Sequence, residues 1–499
     1  MIEAQANARP DATYFVATGA GHSLTFGGLL DSCRRVAASI EREGITRGSV
    51  VSLVMPNGLA TLRILLGAMA GGYCVNPVNL LSQPAQMRYV LDHSDCTLVF
   101  ASPEWAPKVR ELVAGFERTV GVVEVDPDVP WLPGESAADA AIPLAKVDPY
   151  TLALIMYTSG TTGTPKGVML THASLVANAK AISAEHGLGP DDRVAAVLPL
   201  YHINAFAVTM LAPLAHGGSL AMPPKFSSAG FWDIVTRFRC TWINVVPTIV
   251  SYLLESPVPP RETIGRVRFC RSASAPLPPQ HLRAFEDKFG IGVIETMGLT
   301  ETVAPAFSNP LEPGKRRIGS VGLPSGCEAR VVDAQGGEVP DGVAGEIVIR
   351  GPQVTSGYYK NPAASAAAFF PGGWFRSGDI GVRDPEGYFF ITGRIKELII
   401  KGGENIAPRE IDEVLLRHPA VLDAAAVGIA DRHYGQEIMA CVMLRSGRDC
   451  TADELIDFCR EHLGRFKTPK RILFVDELPR GPSGKVQRLK LIDLLPGTG

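Results

Sequence analysis

The sequence predicts an α/β protein with a large N-terminal domain of layered α/β sheets, a β-rich subdomain and a small α+β domain. The chain has 499 residues, which is too long for one ordinary hydrophobic core. Apolar strand-like runs alternate with amphipathic helical stretches through roughly the first 300 residues, a pattern typical of buried, partly parallel sheets. Between about 320 and 393, short strands broken by glycines replace this pattern and predict the β-rich subdomain.

The predicted elements follow in chain order. The first five are strand, helix, strand, helix and strand: Ser49–Met55, Ala60–Gly72, Cys96–Ala101, about Thr171 to His186, and Arg193–Pro199. The β-rich subdomain has three predicted strands: Glu328–Asp333, Gly345–Gly351 and Gly387–Thr392. A helix, two strands and a helix then follow: Pro408–His418, Leu422–Gly428, Ile438–Leu444 and Ala452–Leu463. Because the pattern changes near Gly393–Lys396 and this last group has an ordinary small-domain size, the sequence predicts a domain border after residue 393.

Composition excludes some classes of partner. The chain is 46% hydrophobic and 20% charged, a normal globular balance, and its formal net charge is −3. This charge argues against nucleic acid or an anionic membrane as the main partner. The longest apolar stretch, Ile203–Met222, is interrupted by Pro213, His216 and a Gly-Gly pair, so it predicts a buried helix followed by a strand rather than a membrane span.

The N-terminus and the cysteines indicate a cytoplasmic protein. The first residues include Glu3 where a secretory signal would be basic and apolar, so no targeting peptide is expected. Nine cysteines are scattered without a Cys-x-x-Cys pair or a His cluster at metal-binding spacing. We expect them to be buried, reduced thiols.

The loop Tyr157–Gly167 reads YTSGTTGTPKG and is the most informative motif of the chain. Its glycines let several backbone N–H groups approach one anion, its hydroxyls add donors or a metal contact, and Lys166 neutralises charge. Apolar runs precede and follow it, which predicts a connection between two strands. Because the Gly-Lys-Ser/Thr ending is missing, it is not a Walker A loop. A flexible surface turn is the alternative to a polyphosphate site.

This loop resembles the signature of the adenylate-forming superfamily, which includes acyl-CoA synthetases, beetle luciferases and the adenylation domains of peptide synthetases. The resemblance implies that the loop holds the phosphates of ATP. The residues it assigns to this contact are Thr158, Ser159, Gly160, Thr161, Thr162, Gly163 and Lys166, with Thr161 also reaching Mg²⁺.

A second segment, Glu295–Glu301, reads ETMGLTE and resembles the family segment that covers the adenine. The resemblance implies that Glu295, Thr296 and Met297 contact the nucleotide, that Thr300 contacts the α-phosphate, and that Glu301 coordinates Mg²⁺, which prefers hard oxygen ligands. The family usually has tyrosine where this chain has Met297. On residues alone, a Thr-Glu pair is equally a helix-start signal.

A third segment, Arg271–Leu277, follows an apolar strand-like run. Open α/β sheets bind ligands at the carboxyl ends of their strands, and small residues there leave room for a ligand. By resemblance, Ser274, Ala275 and Pro276 flank the adenine and one wall of the acid pocket. A loop selected for its turn chemistry remains the alternative.

Two further motifs would act on the nucleotide. Trp374–Asp379 and the later Gly393-Arg394 resemble the family's ribose site, where Asp379 would accept from both ribose hydroxyls and Arg394 would contact ribose or phosphate. A surface Asp–Arg pair is the alternative. Near the C-terminus, Lys485 on a Gly/Pro-framed turn resembles the family's catalytic lysine, which stabilises the charge that develops during adenylation.

Two segments resemble the site for coenzyme A. Lys401, Gly402 and Gly403 match a loop that lines the channel for the thiol arm, where glycines permit close approach. Phe466 could stack on the CoA adenine and Lys470 pair with its phosphate. For these last two residues, solvated surface positions are the alternative.

Together the motifs predict an ATP-dependent carboxylic acid–CoA ligase that forms acyl-AMP and pyrophosphate, then acyl-CoA and AMP. The resemblance further implies a domain at 1–393, a hinge at 394–397 and a mobile C-terminal lid domain at 398–499, which would rotate about Lys396 between the two half-reactions. His202 could gate the passage between acid and thiol, or be a core histidine. The motifs leave the acid open among oxalate-like, short- or medium-chain fatty and aromatic acids, and they leave a homodimer open. The alternatives are a ligase that loads a carrier protein and a non-catalytic ATP-binding module; the motifs say nothing about luciferase-like oxidation.

Overall fold

The computed structural model describes residues 1–19, 21–158, 164–481 and 486–495. The chain divides into two compact units, which we describe separately. The first unit contains Met1–Glu328 and Ile349–Phe375, and the second contains Ala329–Val348 and the chain from Arg376 onward. The predicted domain border at 393 lies inside the second unit. Compactness does not report motion, so the hinge at 394–397 stays a prediction.

The strands of the described residues are numbered in chain order. They are β1 Thr13–Ala17, β2 Ser23–Thr25, β3 Val50–Val54, β4 Cys74–Pro77, β5 Cys96–Ala101, β6 Gly121–Glu124, β7 Leu152–Thr158, β8 Lys166–Thr171, β9 Arg193–Ala195, β10 Ser219–Met222, β11 Trp242–Val245, β12 Phe269–Ser272, β13 Val293–Leu299, β14 Ala304–Ser308, β15 Leu323–Pro324, β16 Glu328–Val332, β17 Gly345–Arg350, β18 Phe369–Phe370, β19 Trp374–Arg383, β20 Phe389–Arg394, β21 Ile399–Lys401, β22 Glu404–Ile406, β23 Val421–Asp431, β24 Gly435–Leu444 and β25 Arg471–Phe474.

The α-helices are numbered in the same way. They are α1 Ile2–Ala8, α2 Phe26–Arg42, α3 Leu59–Ala70, α4 Pro84–His93, α5 Ala106–Val113, α6 His172–Glu185, α7 Ala212–His216, α8 Phe231–Arg237, α9 Pro247–Glu255, α10 Arg261–Ile264, α11 Pro279–Phe289, α12 Pro362–Ala367, α13 Pro408–Leu415 and α14 Ala452–Lys467. A π-helical segment spans Asn204–Leu211, and short 3₁₀ helices span Ala137–Ala141, Thr300–Thr302, Pro313–Lys315, Ile395–Glu397 and Arg488–Leu494.

The first unit contains two large sheets that are mostly parallel. One has the strand order β6-β5-β3-β4-β7-β8, and only the β7–β8 pair in it is antiparallel. The other has the order β15-β14-β13-β12-β11-β9-β10-β1-β2, with parallel pairing from β1 through β13 and antiparallel pairing at both ends. Their central strands are buried along their whole length, as parallel strands covered on both faces require.

The second unit has a smaller sheet with its own core. Strands β22, β21, β24 and β23 pair in this order, and β25 pairs with β24 in parallel. Helix α13 packs Ile411 and Leu415 into an apolar cluster with Val421 and Ile438. The same unit contains β20 and most residues of the β-rich strands β16, β17 and β19; β19 and β20 are antiparallel.

The predicted fold class is confirmed, and most predicted elements appear within a few residues of their expected bounds. The strand expected at Arg193–Pro199 is shorter and ends at Ala195. The stretch Ile203–Met222 is a buried π- and α-helical segment followed by β10, as predicted. In the described part of the chain, no helix is long and apolar enough to cross a membrane. All nine cysteines are free, and seven are buried; Cys327 and Cys450 are partly exposed.

Candidate active site

The phosphate-loop motif lies on an antiparallel hairpin, as the sequence predicts. Strands β7 and β8 pair Thr158 with Lys166 and Tyr157 with Gly167, so Thr158 and Lys166 face each other at the loop end of the hairpin. The connecting residues Ser159, Gly160, Thr161, Thr162 and Gly163 lie outside the described residues. Any contact of these five with phosphate or metal therefore stays a prediction.

Lys166 and Glu301 contact the same tyrosine. The Tyr358 hydroxyl donates to Glu301 Oε1 at 2.9 Å, and Lys166 Nζ lies 4.8 Å from the centre of the Tyr358 ring. Burial, and then the charge of Glu301, raise the pKa of Tyr358, so its hydroxyl is a protonated donor. The structure thus brings two predicted site residues together through a third that the motifs did not include.

A pocket of about 120 Å³ lies beside Lys166. Its walls come from the hairpin, from the Tyr358 segment and from α4: Thr164, Pro165, Lys166, Tyr358, Tyr359, Asn361, Tyr89 and His93. His93 Nδ1 lies 2.8 Å from the hydroxyl of Tyr157, the first residue of the loop motif. The start of the loop is therefore fixed by a side chain from α4.

The turn after β13 carries Thr300 and Glu301 in a strained backbone. Val303 and Ala304 have φ angles of 56° and 73°, which are uncommon for residues with a Cβ. Residues held in such conformations cost about 1–3 kcal/mol each and persist only when the surroundings fix them. Here the Asn178 amide on α6 donates to the carbonyls of Thr302 and Val303, at 2.9 and 2.6 Å.

Gly298, inside the adenine motif, is required by the fold of this turn. The β13–β14 register shifts between Met297 and Gly298. A Cβ at Gly298 would lie 1.8 Å from the Ala304 carbonyl oxygen, so no larger residue fits. Met297 pairs with Phe307 on β14 and is partly exposed, as is Glu295, while Thr296 is buried. The contacts of these three with adenine stay predictions.

The end of β12 holds a buried arginine. Arg271 is 1% exposed, and its Nη1 donates to the side-chain carbonyls of Asn204 and Asn244, at 2.8 and 2.7 Å. Its Nε is buried without a hydrogen-bond partner, and no carboxylate among the described residues forms an ion pair with it. Burial lowers the pKa of Arg271 to about 9.

Ser274 belongs to the same network. The Asn204 amide donates to Ser274 Oγ at 3.3 Å, and Ser274 has a left-handed φ of 76°. Ala275 and Pro276 follow it, partly exposed and exposed. The predicted pocket wall is thus a polar network around a buried cation, at the carboxyl end of a parallel strand.

His202 lies two residues before the π-helical segment that supplies Asn204. It is partly exposed, its backbone carbonyl accepts from the Phe206 N–H at 3.0 Å, and its ring contacts that of Tyr201, with 4.8 Å between centres. Neither the gate nor the core alternative follows from these contacts, so the gate stays a prediction.

The predicted ribose residues are direct neighbours in the second unit. Asp379 and Arg394 are paired across β19 and β20, and Arg394 Nε donates to Asp379 Oδ1 at 2.6 Å. The Asp379 side chain is 3% exposed. The two residues thus form an Asp–Arg pair, but the Asp379 carboxylate is buried and not on the surface as the alternative had it. A carboxylate has about four acceptor positions, so this pair leaves positions free for ribose hydroxyls, and the ribose role stays a prediction.

Lys485 lies outside the described residues, but residues on both sides of it are described. Arg480 and Val486 form an antiparallel bridge, and Gln487 N donates to Pro479 O at 2.8 Å. Three residues after Lys485, the partly buried Arg488 donates to Asp412, to Glu397 Oε2 at 3.0 Å and to the Ala426 carbonyl at 2.9 Å. The segment that follows Lys485 is thus anchored to α13 and to the 3₁₀ helix that contains Lys396.

In the predicted CoA loop, Lys401 forms an ion pair and a hydrogen bond within its own unit. Lys401 is 6% exposed, and its Nζ lies 2.5 Å from Glu437 Oε1 and donates to the Phe466 carbonyl at 2.9 Å. Gly402 and Gly403 are exposed, with left-handed φ angles of 58° and 88°. Lys401 therefore braces this loop, and its direct contact with CoA stays a prediction.

Two aromatic rings flank this loop. Phe466 is 38% exposed and Tyr434 is 49% exposed, and a Cβ on Gly402 would lie 3.3 Å from Tyr434 and 3.9 Å from Phe466. Lys470 is exposed and ion-paired with Asp431 at 3.2 Å. The motifs included Phe466 and Lys470 but not Tyr434. Tyr434 lies beside Gly402 because β21 pairs with β24, a pairing between segments that are distant in the sequence.

Comparisons with known proteins support the family and the activity that the motifs predict. Models of two families, the AMP-binding enzyme and its C-terminal domain, match residues 2–359 and 410–485. A sulfoacetate–CoA ligase of Cupriavidus necator is 56% identical over 494 residues, 99% of this chain and 97% of that protein. An oxalate–CoA ligase of Arabidopsis thaliana is 36% identical, covering 98% and 96%. ATP-bound MatB from Rhodopseudomonas palustris has a TM-score of 0.91 at 31% identity, covering 99% and 98%.

These matches confirm the predicted ATP-dependent acid–CoA ligase and its use of ATP and CoA, and they favour it over the carrier-protein alternative. A homodimer stays as open as the motifs left it, and the roles of single residues stay predictions. The chain belongs to the AMP-binding enzymes, in their acid–CoA ligase branch.

Proposed function

We propose that this ligase activates a short carboxylic acid that carries a second anionic group, with sulfoacetate as the first candidate. The observation that carries the proposal is the buried Arg271, which has no carboxylate partner among the described residues. The relatives from C. necator and A. thaliana, named for sulfoacetate and oxalate, support the same class of acid.

The electrostatic argument starts from the cost of burial. A guanidinium removed from water costs several kcal/mol unless it gains a charged partner. Asn204 and Asn244 supply neutral oxygens only, and the buried Nε has no acceptor. A sulfonate or a second carboxylate would supply both the missing charge and the missing acceptor. Fatty and aromatic acids carry no such group, so we expect them to be poor substrates.

The predicted site residues give a consistent division of labour for the two half-reactions. Lys166 would neutralise the β- and γ-phosphates, Thr300 would contact the α-phosphate, and Lys485 would stabilise the charge on the reacting oxygens. Glu301 would hold Mg²⁺, which neutralises phosphate charge when bound. Gly402, Gly403 and Phe466 would then receive the thiol arm and the nucleotide of CoA.

We place this activity in the cytoplasm, because ATP and CoA are its co-substrates and all nine cysteines are free thiols. Cell fractionation with an antibody against the chain would check the location. Recovery with extracytoplasmic marker proteins would contradict it.

The test of the substrate class is CoA-dependent AMP release from a matched set of acids. Sulfoacetate is compared with methylsulfonylacetate, which has nearly the same shape without the second charge, and with acetate, oxalate, malonate, octanoate and benzoate. We expect kcat/KM for sulfoacetate to exceed that for the neutral sulfone by about 100-fold, because a charged hydrogen-bonded contact is lost. Equal values for this pair, or a preference for octanoate or benzoate, would contradict the proposal.

A further inference from the structure

We propose that Tyr358 is a positioning residue of the adenylation site, which holds the Glu301 carboxylate ready for the Mg²⁺ that accompanies ATP. The inference depends on the predicted roles of Glu301 and Lys166, and it is independent of which acid the enzyme activates. Tyr358 belongs to none of the motifs that identified the family.

Tyr358 meets both charged residues with different parts of one side chain. Its hydroxyl donates to Glu301 Oε1 at 2.9 Å, while its ring lies 4.8 Å from Lys166 Nζ. The ring face attracts a cation, and the hydroxyl donates to a carboxylate. Each charged group is therefore oriented by a neutral partner.

The backbone around Tyr358 is bonded to both segments that it connects. Tyr359 N donates to the Gly167 carbonyl at 2.8 Å, one residue after Lys166. Thr355 N donates to the Glu301 carbonyl at 2.7 Å, and Thr355 Oγ1 donates to the Met169 carbonyl at 2.7 Å. Because these bonds fix the segment at both ends, the phenol has a defined position relative to the lysine and the carboxylate.

A carboxylate held in this way suits a metal that arrives with its nucleotide. A hydroxyl donor leaves Glu301 its full charge and its second oxygen, whereas an ion pair would neutralise it. Within the described residues, no group of three or more His, Cys, Asp or Glu side chains could hold a metal ion. One oriented carboxylate fits Mg²⁺, which is bound by one or two carboxylates together with phosphate oxygens and water.

The test uses two tyrosines whose hydroxyls donate hydrogen bonds. Tyr358→Phe keeps the ring beside Lys166 and removes the hydrogen bond to Glu301. Tyr14→Phe is the matched control, since it removes a hydrogen bond of similar length, 2.8 Å, from Tyr14 to the Met210 carbonyl, outside the site. Titration calorimetry measures the Kd of a non-hydrolysable ATP analogue for each purified protein, once with Mg²⁺ and once with EDTA.

We expect Mg²⁺ to tighten binding about tenfold less in Tyr358→Phe than in the unmodified enzyme, the effect of one lost hydrogen bond to a charged group. Its Kd in EDTA should change less than about threefold, and Tyr14→Phe should retain the full gain from Mg²⁺. An undiminished gain from Mg²⁺ in Tyr358→Phe, or the same weakening with and without the metal, would overturn the proposal.

A second comparison separates positioning from a general effect on folding. If Tyr358 acts through Glu301, adding Tyr358→Phe to a Glu301→Gln protein should not change the gain from Mg²⁺ any further. Independent, additive effects of the two substitutions would overturn the proposal. Neither measurement includes a carboxylic acid substrate, so an error in the proposed substrate class would not change either result.

Discussion

Replacing Arg271 by methionine should move stability and substrate recognition in opposite directions. Burial lowers the Arg271 pKa from its ordinary value to about 9, which corresponds to roughly 5 kcal/mol against the charged form in the folded protein. Below about pH 9 the arginine is protonated in both folded and unfolded chains, so the folded enzyme bears this whole cost at neutral pH. Arg271→Met removes the cost and keeps a long side chain in the space.

The same change costs hydrogen bonds. Asn244 Oδ1 loses the donor at 2.7 Å, while Asn204 Oδ1 keeps the Asn244 amide at 3.4 Å. A buried acceptor left unsatisfied costs about 1–3 kcal/mol. We therefore expect urea unfolding of the ligand-free protein to give a free energy of unfolding about 2–4 kcal/mol higher.

Substrate recognition should fall at the same time. KM for sulfoacetate should rise roughly 10- to 100-fold in Arg271→Met, since a hydrogen-bonded charge contact contributes about 1.5–3 kcal/mol, while KM for acetate should hardly change. Arg266→Met, five residues upstream and exposed, is the control. A free energy of unfolding that falls by more than about 1 kcal/mol, or equal losses for sulfoacetate and acetate, would refute this reasoning.

The pH dependence of kcat/KM tests the role of Arg271 independently of the substitution. An arginine with a pKa of about 9 loses its charge as the pH rises through that value, so kcat/KM for sulfoacetate should fall above about pH 9 in the unmodified enzyme. The profile for acetate should lack this step, because acetate has no second charge for Arg271 to bind. A profile for Arg271→Met that keeps the step for sulfoacetate would assign it to another group.

Three further changes test other parts of the chain. Gly298→Ala should lower the free energy of unfolding by at least about 3 kcal/mol, because its Cβ would lie 1.8 Å from a backbone oxygen. Gly314→Ala, whose Cβ would lie in open space, is the control, and equal urea midpoints of the two variants would contradict the expected loss. Arg488→Gln should lower the free energy of unfolding by about 3–5 kcal/mol, since it leaves the buried Asp412 carboxylate without its cation. A decrease below about 1 kcal/mol would show that the Arg488–Asp412 pair contributes little to stability. Lys396→Pro should spare pyrophosphate–ATP exchange and cripple thioester formation, whereas equal loss of both would exclude a hinge there.

Local sequence was enough to predict the phosphate hairpin. The apolar runs on both sides of Tyr157–Gly167 are the strands themselves, so the pairing of Thr158 with Lys166 follows from neighbours in the chain. The position of Tyr358 could not be predicted in this way. It reaches Glu301 because its segment pairs with β8, almost 200 residues earlier, and no spacing in the sequence encodes that pairing.

For Arg271, the sequence contains a signal that none of the family motifs includes. A charged residue at the end of an apolar strand-like run is costly unless it has a partner, and the sequence places it directly before the small residues of the expected acid pocket. Its burial and the identity of its two amide partners required the structure, since Asn204 and Asn244 come from separate elements. For Lys401 the sequence could not distinguish a ligand contact from the buried ion pair with Glu437.

The nine free cysteines have a chemical consequence for an enzyme of this kind. Burial raises the pKa of every one of them, to about 12 for Cys33, Cys240, Cys327 and Cys459 and to about 11 for Cys441. At neutral pH a thiol with a pKa of 11 is a thiolate about one time in ten thousand, and the thiolate is the nucleophile. We therefore expect these cysteines to supply very little thiolate that could compete with CoA for an acyl-adenylate.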